Sequence, residues 1–313
     1  MAPKRDKELI LQIARMRFED RYAQREIARR LRISEATVSR ALKEAFELDL
    51  IEVRIRMATD RNTTLERALV KRFGLQRAVV VENHNEPRHT LTALGRVVGE
   101  MLALDLVDDL TIGVGDGESA AAVAAGLPHL WLRNVEVVPL IGGVGQLDVA
   151  THPVEIAREV AKRLNGRLRQ LPAPAVMPDA SAASHVMRAS AVADAFEAMK
   201  RCRLALVGIG PIDRMTSMVR HGALTLSELE AIAALGAVGM ICARAYDQGG
   251  RHILSDLDAR TLAISFEDFK KIPMRWVIGT GSSKIPALHA AFTGTIVTAC
   301  GVDAATASQL LAI

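Results

Sequence analysis

The sequence lacks a disulfide framework. Its three cysteines, Cys202, Cys242 and Cys300, are odd in number and widely spaced, which suits neither paired bridges nor a CxxC metal site. They read as small buried apolar residues, and no metal or cofactor is expected. No run of 18 or more residues is free of charge or breakers, so no membrane span is expected. The start, MAPKRDKELI, is charged where a secretory signal needs an apolar core, and the expected location is the cytoplasm. Fixed-period repeats and low-complexity segments are missing as well. What is there is ordinary for a globular chain long enough for two cored domains: 313 residues, 50% hydrophobic and 24% charged.

The positive excess is confined to one place. Of 40 Lys+Arg and 36 Asp+Glu in the chain, residues 1–57 hold 14 and 10, so the remaining 26 and 26 cancel. Within 21–43, seven basic residues face only Glu26 and Glu35, a footprint suited to a polyanion. Here Leu9, Ile10, Ile13 and Met16 recur at helical spacing over 7–20, and Gln24–Leu31 forms a second helix with Ile27, Ala28 and Leu31 inward. Ser34 is a good N-cap for a third, on which Val38, Ala41 and Leu42 continue the apolar face and Glu35, Thr37, Ser39 and Arg40 point outward. Two short helices across a tight turn make a helix-turn-helix whose second helix can enter a major groove. Arg40 suits guanine, Glu35 suits cytosine, and Thr37 and Ser39 can reach base edges or phosphates. Arg25, Arg29 and Arg30 would neutralise phosphates. Arg32 stands where such turns usually carry glycine. IEVRIR (51–56) alternates apolar and polar residues, a short strand that suggests a winged variant. Residues 1–57 are therefore expected to form a DNA-binding domain, with double-stranded operator DNA as partner.

From Thr63 onward strands alternate with helices: TLERALVKRFG, AVVVE, the long helix in RHTLTALGRVVGEMLALDL, then LTIGV, VEVVPLIG, LRQLPA, LALVGIG, AVGMICA and RWVIGTG. Short apolar strands separated by helices predict a parallel, doubly wound α/β sheet of Rossmann-like type, covered on both faces. LPAPAVMPDASAAS (171–184) reads as a long loop. Several strands end in glycine-rich turns. They are IGVGDGES with Gly115, Asp116, Gly117, Glu118 and Ser119; LIGGVG with Gly142 and Gly143; LVGIGPI; and VIGTGSSK with Gly281, Ser282, Ser283 and Lys284. In open α/β sheets these turns converge on one crevice at the carboxyl ends of the strands, where helix N-termini attract anions. Ser119 and Lys284, each at the start of a helix, can hold a phosphate together. Neither a GxGxxG fingerprint nor a GK[ST] loop occurs, which excludes the common nucleotide sites.

Taken in order, QREIARRLRISEATVSRAL, GVGDGES, VVPLIGGVG, EIAREVAKRLNGRLRQLPAP, LALVGIG, GAVGMICARAYDQGG and GTGSSKIPALHAAFTGTIVTACGVDAATASQLL resemble the SorC family of sugar-responsive transcription regulators over nearly the whole chain. In that family the effector domain resembles sugar-phosphate isomerases. The resemblance implies that the Gly117 to Ser119 loop and Lys284 bind an effector phosphate, helped by Arg220, and that His152, Met240 and Asp247 line the sugar. It makes 58–313 an effector-binding and oligomerisation domain, and the whole a repressor of a carbohydrate or polyol operon acting as a homodimer or homotetramer. Two residues depart from the family pattern. Met240 stands where members commonly have an acidic residue, and Ile141 stands where some have arginine.

Two rival readings are open to test. In one, Asp116, Asp247 or His152 serves as acid or base in an isomerase-like enzyme; no paired carboxylate or His–Asp constellation emerges at a usable spacing, so no catalytic residue is expected. The other is a structural DNA binder without a ligand, which leaves the glycine loops and Lys284 unexplained.

Overall fold

In the computed structural model the described residues are 7–20, 22–48, 50–51, 61–144, 150–214 and 216–313. The chain divides into two compact units, Met1–Ala58 and Thr59–Ile313.

The first unit contains α1 (Lys7–Phe18), α2 (Gln24–Leu31) and α3 (Glu35–Glu47). Ile10, Ile13, Ile27, Val38, Ala41 and Ala45 are fully buried and form its core, as their helical spacing predicts. α1 stops at Phe18, two residues short of the expected end, because the N–H groups of Glu19 and Asp20 both turn back to the carbonyl of Arg15. α2 ends on Arg32 in the left-handed region, φ 54°. The expected wing strand falls almost wholly on residues 52–56, outside the described residues.

In the second unit β1 (Arg77–Val81), β2 (Thr111–Val114), β3 (Glu136–Pro139), β4 (Arg167–Leu168), β5 (Leu204–Gly208), β6 (Gly210–Pro211), β7 (Ala237–Ile241), β8 (Arg244–Asp247), β9 (Met274–Ile278) and β10 (Ala299–Asp303) build two sheets. The larger is wholly parallel, in the order β1-β10-β9-β5-β2-β3-β4. One core cluster joins its first face to Leu94, Val123 and Ile156 of the helices Pro87–Ala103, Glu118–Gly126 and Pro153–Arg163. The other joins its second face to Leu69, Val192, Leu288 and Leu310 of the helices Thr63–Phe73, Ser190–Lys200, Ile285–Thr293 and Ala304–Ala312. From β2 the chain winds outward through β3 to β4; from β5 it winds the other way through β9 to β10. The β2–β5 boundary is therefore the switch point of a doubly wound sheet, where a crevice must open.

Three details of the expected fold need correction. AVGMICA is no member of the parallel sheet: β7 pairs antiparallel with β6 and β8 in the smaller sheet. Its turn to β8 holds Cys242 and Ala243 at φ 48° and 58°, a two-residue hairpin built without the usual Asn or Gly. Of LRQLPA only Leu168 is in a strand, the short β4, and the loop expected over 171–184 gives way to a helix at Ala180–Met187 capped by Asp179. Among the described residues no helix is long and apolar enough to cross a membrane.

Candidate functional site

The central strands β2, β5 and β9 deliver three loops to one cavity of about 240 Å³. After β2, Gly117 takes φ 93° and starts the helix Glu118–Gly126 without a side-chain cap. After β9, Gly281 takes φ 96° and starts the turn Ser282–Lys284, again without a side-chain cap, ahead of the helix Ile285–Thr293. Only glycine adopts these angles at low cost. Each places uncapped backbone N–H groups at a helix start, where an anion can receive them. The Gly281 loop is fixed from behind: its N–H donates to Thr306 Oγ1 at 3.0 Å, and that hydroxyl donates to Asp303 Oδ2 at 2.7 Å.

Lys284 and Ser119 meet in this cavity, with Nζ 3.5 Å from Oγ. Among the described residues no carboxylate lies within ion-pair distance of the ammonium. Burial holds its pKa below the ordinary lysine range, opposed by the nearby Glu118. Arg220 also reaches the cavity but ion-pairs with Glu118 at 3.6 Å. Asp116 lines the same space. Its carboxyl is pushed above the ordinary aspartate range by burial, against weaker help from its own backbone N–H and from Ser217, whose hydroxyl donates at 3.4 Å. His152 caps the helix Pro153–Arg163, with Nδ1 accepting from the Val154 N–H at 3.3 Å. In a neutral ring that accepts there, the proton sits on Nε2, the atom that lies against Gly143.

The structure thus gathers Asp116, Gly117, Glu118, Ser119, His152, Arg220, Met240, Ser283 and Lys284 of the expected effector set. It does not gather the rest. Gly115 continues the ladder to Leu206; Gly142 and Gly143 bond to Leu262 and Ala173; Gly281 and Ser282 form the turn behind Ser283. Asp247 is a turn residue: its carboxylate accepts from the N–H groups of Gly249 and Arg251, both at 2.9 Å, and pairs with the Arg251 side chain. Ile141 is fully buried in the core and bridges to Ala263, so its identity does not bear on the cavity. Sequence reasoning missed the wall of Thr216, Ser217 and His221, and also Cys242 and Ala243. The wall's segment, IDRMTSMVRH, carries no glycine-rich signal, and Cys242 reads as core.

In the first unit Ser34 caps α3, its Oγ accepting from the Thr37 N–H at 3.1 Å. Glu35, Ser39 and Arg40 are exposed as expected; Thr37 is half-buried and its hydroxyl pairs with that of Ser34 at 2.8 Å. Arg29 and Arg30 both bond Glu26 at 2.8 Å, and Arg30 also lies over the Tyr22 ring, so of the three expected phosphate contacts only Arg25 has no such partner among the described residues. The two guanidiniums hold Glu26 down to about 2.

Residues 58–312 match the family model Sugar-bind, described as "Putative sugar-binding domain". The chain belongs to the SorC family of sugar-responsive transcription regulators. It is similar to the deoxyribonucleoside regulator of Bacillus subtilis, 28% identical over 305 residues that cover 97% of each chain. It is similar also to the erythritol catabolism regulatory protein of Brucella abortus, 26% identical over 91% of this chain and 90% of that one. The full-length sorbitol operon regulator from Klebsiella pneumoniae has the same fold, with a TM-score of 0.77 and 26% identity over 98% of this chain and 99% of that one. These relatives regulate transcription; none is an enzyme. The chain is a transcription regulator with a sugar-binding domain.

Proposed function

We propose that the chain represses a carbohydrate or polyol operon from the cytoplasm, with α3 in the operator's major groove, and that a monophosphorylated sugar or polyol in the β2–β5–β9 cavity releases it. Arg25, Arg29, Ser34, Glu35, Thr37, Ser39 and Arg40 form the DNA-facing set in this reading, with Ser34 and Thr37 chiefly ordering the helix start. The observation that carries the effector assignment is Lys284 beside Ser119 over two uncapped helix starts. A half-buried cation with no carboxylate within ion-pair distance among the described residues is poorly compensated until an anion arrives, and a phosphate would accept from the ammonium, the hydroxyl and the idle N–H groups together. A cavity of about 240 Å³ is small for a ligand site, which favours one phosphorylated monosaccharide or polyol over a nucleotide.

One phosphate is favoured over two because the lysine and arginine lining the cavity, Lys284 and Arg220, both lie near Glu118. Elsewhere the lining offers Asp116, Met240, Cys242 and two histidines, a poor seat for a second dianion. Calorimetric titration with matched mono- and bisphosphates tests this: a monophosphate should bind at least as tightly as its bisphosphate, and a bisphosphate tighter by tenfold than every monophosphate would overturn it. The DNA-binding unit is expected to act as a homodimer or homotetramer, because one helix-turn-helix offers too little contact for tight specific binding.

A further inference from the structure

The cavity carries a charge that works against its proposed ligand. Glu118 is the first residue of the helix that starts at the Gly117 turn, and its neighbour Ser119 meets the Lys284 ammonium at 3.5 Å. A phosphate received by that helix start would lie beside the Glu118 carboxylate and be repelled by it. The carboxylate already has a cation. Arg220, at the end of the short helix Ser217–Arg220, places Nη2 3.6 Å from Glu118 Oε1, and both side chains line the cavity. After burial, the strongest influences on the Lys284 charge are Glu118, which favours it, and Arg220, which opposes it, so the three charges share one small space. The Glu118–Arg220 contact is longer than a charge-assisted hydrogen bond, and with side chains 64% and 44% exposed it adds little to the fold. Such a pair opens easily. An acidic residue in the first turn suits any helix, but this one stands among the lysine and arginine that line an anion site.

We infer that Glu118 is the internal counter-ion of the effector site: it holds Arg220 in the unliganded protein, yields it to the phosphate of an ester, and thereby sets the threshold that a phosphate ligand must pass. The guanidinium goes to an anion that outcompetes the carboxylate for it. Inorganic phosphate has only its own charge for that contest, and the same charge is repelled by Glu118. An ester adds the contacts of its carbon chain with the cavity wall, so it binds where the bare ion does not. This inference rests on the cavity being the effector site, and it adds how that site rejects the phosphate group alone.

The test uses the full chain and calorimetric titration at about pH 8, where phosphate esters are dianions, with ribose 5-phosphate, erythritol 4-phosphate, glucitol 6-phosphate and inorganic phosphate. Glu118→Gln should tighten the tightest-binding ester by about fivefold or more at low salt, with a gain that shrinks as salt rises, and should bring inorganic phosphate into measurable binding. Arg220→Gln should weaken that ester by about twofold in the wild type but by about tenfold in Glu118→Gln, where the guanidinium no longer has a competing carboxylate. Unchanged or weaker ester binding in Glu118→Gln, or an equal effect of Arg220→Gln in both backgrounds, would show that the carboxylate does not compete with the ligand, and would overturn the inference. Should Glu118→Gln fail to fold, Glu118→Ser carries the same comparison with the same outcomes. Lys284→Met separates this inference from the reading beneath it. Loss of all phosphates in Lys284→Met, with Glu118→Gln no tighter than the wild type, sinks only the counter-ion. Undiminished binding in Lys284→Met, or no binding of the three esters by either the wild type or Glu118→Gln, sinks the effector site itself.

Discussion

Lys284 and Asp116 are held in opposite directions by the same cause. Burial disfavours the charged form of each, lowering the lysine's pKa and raising the aspartate's. A lysine kept for the fold would lose stability when removed, whereas one kept for a ligand should cost stability while it waits. Lys284→Met is accordingly expected to raise the melting temperature of the unliganded protein and to abolish its shift with a sugar phosphate. A lower melting temperature with an intact ligand shift would make Lys284 structural. For Asp116 the sign follows from linkage. A raised folded-state pKa gives stability that is fully present below the ordinary aspartate range and is lost as pH rises through the raised value. Asp116→Asn, which keeps a polar partner for Ser217, should therefore gain on the wild type between acid and neutral pH. Melting curves across that range check it, and a gap that is constant with pH would contradict it.

The α2–α3 turn shows how closely sequence and structure agree at the level of elements. Helix spacing, the Ser34 cap and the left-handed residue at Arg32 were all legible, because local chemistry alone decides them. Arg32→Gly should stabilise the unit by up to about 1 kcal/mol by relieving the positive φ, read as a higher denaturation midpoint; a lower midpoint would show that the arginine side chain makes a compensating contact. The Glu26 pairing was not legible, since charge counting does not say which arginines are engaged. Glu26→Gln should free Arg29 and Arg30, tighten non-specific DNA binding and steepen its salt dependence by about one unit. An unchanged salt slope would mean that these arginines do not reach the backbone. In the second unit the parallel strands and their glycine turns were visible because each apolar run and turn signal is local. The β7–β8 hairpin was not: Cys242 and Ala243 carry none of the residues that favour a positive φ, and tertiary packing overrides that preference. Thr216, Ser217 and His221 were hidden for a different reason: only topology brings their segment beside Asp116. Asp247, legible as polar and well placed in the family pattern, is occupied by its own turn.

For the molecule as a whole, the switch point between β2 and β5 locates the cavity, and in the proposed function the basic first unit supplies the DNA-facing surface. A ligand can shift operator affinity only by as much as it prefers one arrangement of the regulator over another. If the regulator acts as a symmetric oligomer, footprinting should find paired half-sites about 34 Å or a multiple apart; protection of a single asymmetric half-site by a monomer would contradict that. The central claim is that a phosphate ester at Lys284 controls what α3 does on DNA. The measurement that tests it most directly is operator affinity at fixed salt, for the wild type and Lys284→Met, with and without a sugar monophosphate that the wild type binds. The account predicts equal operator affinity for the two proteins without the ester, and a loss of at least tenfold on adding it for the wild type alone. The same loss in Lys284→Met, at the same ester concentration, would contradict it.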